Sequence, residues 1–361
     1  MILKMRKSSY ILYNTALLFM MTVVLLTACS SDPVEGPTAP SDKELLKGHD
    51  IQLVPYANYY MEENSPRRAA PSGFSAYTPD KQTNMGIYML LPADWANPKE
   101  QIFRYVSRWT ANIEVEAQKD YSVYGYMPKA TGMESSLVKS SANEATLTIS
   151  GVKAITSDGL YVITGVKNSD FNDSELQEGN FLWRWENASS ENFYIYLLMD
   201  HLYGAVQFRL KIGEDYAKLR IIKLKTMTLS TNKASVDVTV ALTKTTGTSP
   251  ISSVSYTTSG ENCESEIFNN EEGEKLETLT DLVVNACFAP ELSRELTLVS
   301  TYDVDDSKGN LIRKDCSATN KLPDDLQVSR GQRMQLKMTV EPTYLYVLSE
   351  PDLDNPTIQI N

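Results

Sequence analysis

Histidine is nearly absent from this chain: of 361 residues only His49 and His201 are histidines, and neither belongs to a recognisable metal-ligand spacing. No Gly-x-Ser-x-Gly elbow, Walker loop or Rossmann glycine pattern occurs. These absences remove the usual signatures of hydrolases, nucleotide binders and dinucleotide enzymes, so no catalytic centre, metal or cofactor is expected. Basic residues are also in short supply, 34 Lys and Arg against 46 Asp and Glu. A nucleic-acid partner needs a Lys/Arg footprint, which is missing here. Amphipathic helical periodicity longer than a turn or two is lacking as well. Beyond residue 28 no apolar run reaches the roughly 20 residues that span a bilayer.

What is present begins with Lys4, Arg6 and Lys7, followed by an apolar stretch from Tyr10 to Ala28 broken only by Asn14 and three threonines. A basic start, an apolar middle and a small-residue exit describe a secretory signal peptide, residues 1–28. The exit Leu26-Thr27-Ala28-Cys29 resembles the lipobox of bacterial lipoproteins, which implies cleavage before Cys29 and diacylglycerol on its sulfur. Each buried acyl methylene contributes about 0.8 kcal/mol, so two or three chains anchor a protein durably. Without the leader's three basic residues the balance is 31 against 46, a net −15.

Residues 30 to about 49, rich in Ser, Pro, Asp, Glu and Lys, read as a tether. In Asp50 to Tyr60 the residues Ile51, Leu53, Ala57 and Tyr59 alternate, so one face of a strand is apolar. Pro55 shares that face and donates no ladder hydrogen bond, which indicates an edge strand or a break. Further strand patterns cover Met85–Leu91, Asn112–Ala117, Tyr121–Met127 with a stop at Pro128, Ala145–Ile149 and Leu160–Thr164. Others follow at Phe193–Leu198, Ala205–Ile212, Leu219–Leu229, Ser235–Leu242, Ser253–Thr257, Glu295–Val304, Arg333–Val340 and Thr343–Leu348. Many short strands between turn signals predict an all-β fold of antiparallel sandwiches. The loop between Asn168 and Glu191 suits a boundary, giving a tether with a first strand (29–68), an N-terminal domain (69–190) and a C-terminal domain (191–361).

Three local features have two readings each. The acidic run Asp303-Val-Asp305-Asp306-Ser-Lys-Gly309-Asn310 superficially resembles a calcium loop, but its twelfth position is Lys314 and its glycine falls one place late. A hairpin turn with Gly309 at positive φ is simpler. Cys263, Cys287 and Cys316 leave either one disulfide and one thiol, or buried free thiols. The twenty tyrosines alternate mostly within strands, which favours packing over an exposed sugar-binding surface.

Taken in order, several segments resemble the fimbrillin family, the type V pilins of Bacteroides-like bacteria. They are the lipobox, Ile51-Gln-Leu-Val-Pro55, Pro66-Arg-Arg-Ala-Ala70 and Met85-Gly-Ile-Tyr88. Trp109 with Ile113-Glu-Val115 and Tyr121-Ser-Val-Tyr-Gly-Tyr-Met-Pro128 come next. Asp158-Gly-Leu-Tyr161, Asp200-His-Leu-Tyr-Gly-Ala-Val-Gln-Phe208 and Val340-Glu-Pro-Thr-Tyr-Leu-Tyr-Val347 complete the series. The resemblance implies two transthyretin-like β-sandwich domains and a lipoprotein held at the cell surface, in the outer membrane, through Cys29. It also implies an arginine-directed protease cutting between Arg68 and Ala69. Ile51, Leu53, Ala57 and Tyr59 then belong to a displaceable first strand. The partners it implies are other fimbrial subunits, the next one donating the tail with Thr357, Ile358 and Ile360. A host glycan or protein is the expected adhesion ligand. Pro351 and Pro356 leave the tail only brief runs able to bond as a strand. A permanently anchored accessory or binding lipoprotein keeping Cys29 and its first strand is the alternative.

Overall fold

The computed structural model describes residues 50–58, 61–62, 74–76, 83–157, 159–167, 178–186, 193–245, 248–323 and 326–341. Its strands, in chain order, begin with β1 Ile51–Asn58, β2 Met61–Glu62, β3 Phe74–Ala76, β4 Asn84–Leu90, β5 Gln101–Tyr105, β6 Trp109–Ala111 and β7 Asp120–Lys129. There follow β8 Glu134–Lys139, β9 Glu144–Lys153, β10 Ile155–Thr156, β11 Tyr161–Lys167, β12 Leu182–Arg184, β13 Tyr194–His201 and β14 Gly204–Ile212. The remainder are β15 Arg220–Thr231, β16 Ser235–Thr243, β17 Ile251–Ser259, β18 Cys263–Lys275, β19 Leu282–Phe288, β20 Thr297–Asp306, β21 Leu311–Lys321 and β22 Gln332–Val340. The only α-helix among the described residues is the single turn Glu214–Ala217 (α1). The all-β class read from the sequence is what the chain adopts.

The first sheet runs β11-β13-β1-β6-β5-β4-β7-β12, and an added pairing of β11 with β7 at Tyr161↔Met127 and Val162↔Tyr126 closes a circuit of seven strands. Inside lies one apolar cluster, with Ile51, Leu53, Phe103, Trp109, Val123, Trp183, Leu197 and Met199 among its members. Three further sheets, β10-β19-β14-β22-β2, β18-β15-β20-β21 and β17-β16-β9-β8, share a second and larger cluster.

Strands β4 and β7 serve both clusters. Met85 and Ile87 face the first while Tyr88 and Leu90 face the second; Val123 and Met127 oppose Tyr124 and Tyr126 in the same way. That two-sided burial explains why Tyr121 to Met127 shows no apolar–polar alternation: every residue of the run is buried, and a strand covered on both faces has no reason to alternate. The strand β16, covered on one face, alternates cleanly, with Val236, Val238, Val240 and Leu242 all buried, while β9 and β15 alternate on either side of a bulge.

Two strand expectations meet corrections. Asn112–Ala117 is not a strand: the chain turns there, Gln118 takes φ 59°, and the Glu116 N–H donates to the Tyr121 hydroxyl at 2.8 Å. Only Val115 of that run is fully buried, so its alternation reflects an anchor for a loop. β7 continues through Pro128 to Lys129, past the expected stop. The 13-residue β18 carries no apolar alternation because it is an outer strand with Glu264, Glu266, Glu271, Glu272 and Glu274 exposed. Acidic side chains on a sheet edge discourage unwanted pairing. Pairings also cross residue 190: β13 bonds β1 and β11, and β16 bonds β9. The final expected strand, Thr343–Leu348, lies outside the described residues.

Candidate functional site

The site is the seat of β1. Gln52 donates its N–H to Phe193 O at 2.8 Å, and residues Gln52 to Ala57 run parallel to Tyr194 to Met199 of β13. Alternate residues turn their backbone groups to opposite neighbours, so Gln52, Val54 and Tyr56 face β13 while Ile51, Leu53, Pro55 and Ala57 face the other side. On that side β6 covers Ile51 to Leu53 and β3 covers Tyr56 to Asn58. Pro55 therefore stands where one neighbour ends and the next begins, and its missing N–H points into that gap. The expected edge strand is thus an interior strand, and the proline marks a break in one ladder only.

The side chains follow the same division. Ile51, Leu53 and Ala57 are buried against the first cluster, as the alternation predicts, and Pro55 is buried with them. Fully burying Ile51 and Leu53 stabilises the seat by about 1.5–3 kcal/mol each. Gln52, Val54 and Tyr56 form the half-buried outer face, where Tyr56 stacks on Tyr196 with centroids 6.5 Å apart.

Both ends of β1 are tied by polar contacts. At its start, Arg108 Nη1 donates to Gln52 Oε1 (3.1 Å) and to the Tyr194 hydroxyl (2.8 Å). The guanidinium carbon also stands 5.3 Å from the centroid of the Tyr194 ring. At the far end, the Asn58 carbonyl lies 2.7 Å from Nε2 of buried His201, and Asn58 Nδ2 donates to Glu178 at 3.2 Å. Arg330 joins this corner by an ion pair with Asp200 at 2.8 Å and a hydrogen bond to the His201 carbonyl at 2.9 Å. Met61 N–H then bonds Gly331 O (2.8 Å), and β2 pairs parallel to Gln332 and Arg333 of β22. The N-terminal segment thereby binds a strand of the closed sheet and, three residues on, an edge of another.

Among the other predicted positions, Cys29, Tyr59, Arg67, Arg68, Ala69, Thr357, Ile358 and Ile360 lie outside the described residues, as does His49. The Asp303 cluster is a hairpin: Asp306 Oδ1 accepts from the N–H groups of Lys308 (2.8 Å) and Asn310 (2.9 Å), and Gly309 has φ 85°. A side-chain hydrogen bond from Asn310 Nδ2 to Asp306 Oδ2 at 2.9 Å, followed by the Asn310 backbone bond, holds the Asp306 carboxyl below its usual range. Cys263, Cys287 and Cys316 are buried thiols, and burial pushes the Cys316 thiol up.

Sequence reasoning missed Arg108, Asn58, Asp200 and Arg330, whose roles depend on strands far apart in the chain. It also missed Glu100, which accepts from the Tyr126 and Ser135 hydroxyls, both at 2.8 Å, and pairs with Lys129 at 3.1 Å. That carboxylate joins β7 of the closed sheet to β8. The seat holds β1 by apolar sockets on one side, backbone ladders on both, and a charged donor at its start.

No family model matches the chain, and no curated protein matches it. Among solved structures it is similar to a candidate cell adhesion protein from Bacteroides uniformis, at 10% identity over 82% of this chain and 95% of that one, with a TM-score of 0.38. It is also similar to a fimbrial protein from Bacteroides vulgatus (13% identity, 81% and 97% coverage, TM-score 0.29). A third is the fimbrial anchor protein Mfa2 from Porphyromonas gingivalis (12%, 75% and 82%, 0.27). All three likenesses are remote.

Proposed function

We propose that this chain is a structural and adhesive subunit of a cell-surface fimbria, exported as a lipoprotein through Cys29, and that it assembles by exchanging its first strand between subunits. The observation that carries this reading is the placement of β1. A short N-terminal strand fills a seat between β13 on one side and β6 and β3 on the other, and the basic pair Arg67-Arg68 follows it before the body of the chain. Cutting between Arg68 and Ala69 would release Cys29 from the body and remove β1 and β2 together. The vacated seat would hold unpaired backbone groups and an apolar trough, and an extended segment of another subunit replaces both. Each apolar side chain buried by the replacement supplies about 1.5–3 kcal/mol before ordering costs.

The interior position of β1 and its tie to His201 favour a second reading, a permanent lipoprotein that keeps its first strand, as an anchor or a glycan- or protein-binding module does. The two separate by intact mass and amino-terminal sequencing of protein sheared from the cell surface. A chain beginning at Ala69 is the expected result. A chain beginning at lipidated Cys29 overturns strand exchange and leaves the permanent anchor. Replacing Arg67 and Arg68 with alanine is expected to abolish both processing and polymer.

A further inference from the structure

We infer that Arg108 sets the register of the incoming strand by recognising Gln359 of a second copy of this chain; the inference rests on the strand exchange proposed above. Arg108 is oriented by groups that stay with the body. Tyr194 on β13 accepts from its Nη1 at 2.8 Å and lies beneath its guanidinium. The other acceptor, Gln52 Oε1 at 3.1 Å, leaves with the first strand. Processing would thus strip an acceptor from a held arginine at the mouth of the seat.

The apolar sockets alone do not specify a register. A slip of one residue turns every side chain to the wrong face and is rejected. A slip of two restores the face and is tolerated by any alternating segment, yet it carries each side chain about 7 Å along the strand. At the start of the seat a contact on the outer face separates the two-residue registers, and Gln52 makes that contact opposite Tyr194. The dipeptide Ile-Gln occurs twice in the sequence, at Ile51-Gln52 and Ile358-Gln359, followed by Leu53 and Ile360. Seated in the first strand's register, Ile358 takes the Ile51 socket, Gln359 meets Arg108, and Ile360 takes the Leu53 socket opposite Trp109. Related triplets at Val206-Gln-Phe208 and Met334-Gln-Leu336 are already paired to each other in β14 and β22. Thr357 to Asn361, which lie outside the described residues, are the segment assigned to the seat.

The test uses cells expressing the full chain, with polymer read as a ladder on mildly heated gels. Gln359→Leu and Arg108→Ala are each expected to cut the ladder roughly three- to ten-fold, the effect of one net hydrogen bond, and the double variant no further. Gln359→Glu is expected to keep the ladder and make the polymer salt-sensitive, but only while Arg108 is present. If Arg108→Ala lowers the yield of folded subunit, the two Gln359 variants decide alone. A full ladder from Gln359→Leu, or losses that add in the double variant, overturns the clamp while leaving strand exchange standing. A wild-type chain that gives no ladder and begins at Cys29 overturns both.

Discussion

Arg330 reaches across from the loop before β22 to place Nη1 2.8 Å from Oδ2 of Asp200, a side chain with no solvent exposure at the end of β13. The Asp200 Oδ1 meanwhile accepts the His201 N–H at 2.9 Å. One carboxylate thus fastens the corner where the first strand leaves its sheet to the loop that receives β2.

Removing the cation strands a buried charge, which typically costs about 3–5 kcal/mol. Arg330→Ala is therefore expected to lower the denaturant midpoint sharply. Arg330→Ala combined with Asp200→Asn is expected to recover part of the loss, measured by equilibrium unfolding. Equal midpoints for wild type and Arg330→Ala would show that the pair contributes nothing.

Leu53 fills a socket in the first cluster with 1% exposure. Leu53→Ala is expected to destabilise the unprocessed chain by about 2–5 kcal/mol through lost burial and a residual cavity. Val54→Ala, on the half-buried outer face of the same strand, is expected to cost clearly less. Thermal melting of the two variants side by side reads the difference directly.

Burial pushes the Tyr124 hydroxyl up from 10.0 to about 12, and it pushes Tyr126, Tyr203 and Tyr256 upward too. A tyrosine whose folded value exceeds its unfolded one contributes stability that is complete below pH 10 and is lost as pH rises above it. For Tyr124 the loss spans pH 10 to about 12 and amounts to about 2–3 kcal/mol. Lys139, which donates to Tyr124 at 2.9 Å, works oppositely. Burial, then Lys244, lowers its folded value below 10.5, so its contribution improves as pH climbs toward that value. The tyrosines outnumber it, and stability is expected to fall between pH 10 and 12. Tyr124→Phe should shallow that fall; an unchanged slope counts against the assignment.

Gly309 sits at φ 85° in the β20–β21 turn, a conformation that costs a residue with a Cβ roughly 1–2 kcal/mol. Gly309→Ala is expected to lower the melting temperature, whereas calcium or a chelator should shift it in neither protein. Stabilisation by calcium would revive the metal reading of this loop.

The three buried thiols are expected to resist a thiol reagent in the native chain and to react fully once it is denatured, Cys316 being further slowed by its raised value. Rapid native labelling of Cys263, Cys287 or Cys316 would contradict their packing.

Much of the strand content is legible locally. Val236 to Leu242 and Ala145 to Ile149 alternate because one face is wet, and Asp306 to Asn310 carries the turn chemistry of a hairpin. Where both faces are buried, as in β7, composition signals a strand but not which residue meets which cluster. Where one face is exposed and the other mostly half-buried, as in β18, even the strand is silent.

By itself, the sequence determined the all-β class and the shared apolar face of Ile51, Leu53 and Ala57. These are local properties, set by runs of hydrophobicity and by the two-residue period of a strand. The tertiary structure alone decided that β1 is interior and parallel to β13, that Pro55 falls in the gap between β6 and β3, and that Arg108, Asp200 and Arg330 hold its two ends. The reason is that a strand's alternation says which of its residues share a face, while its neighbours are chosen by backbone pairing between segments that are not adjacent in the chain.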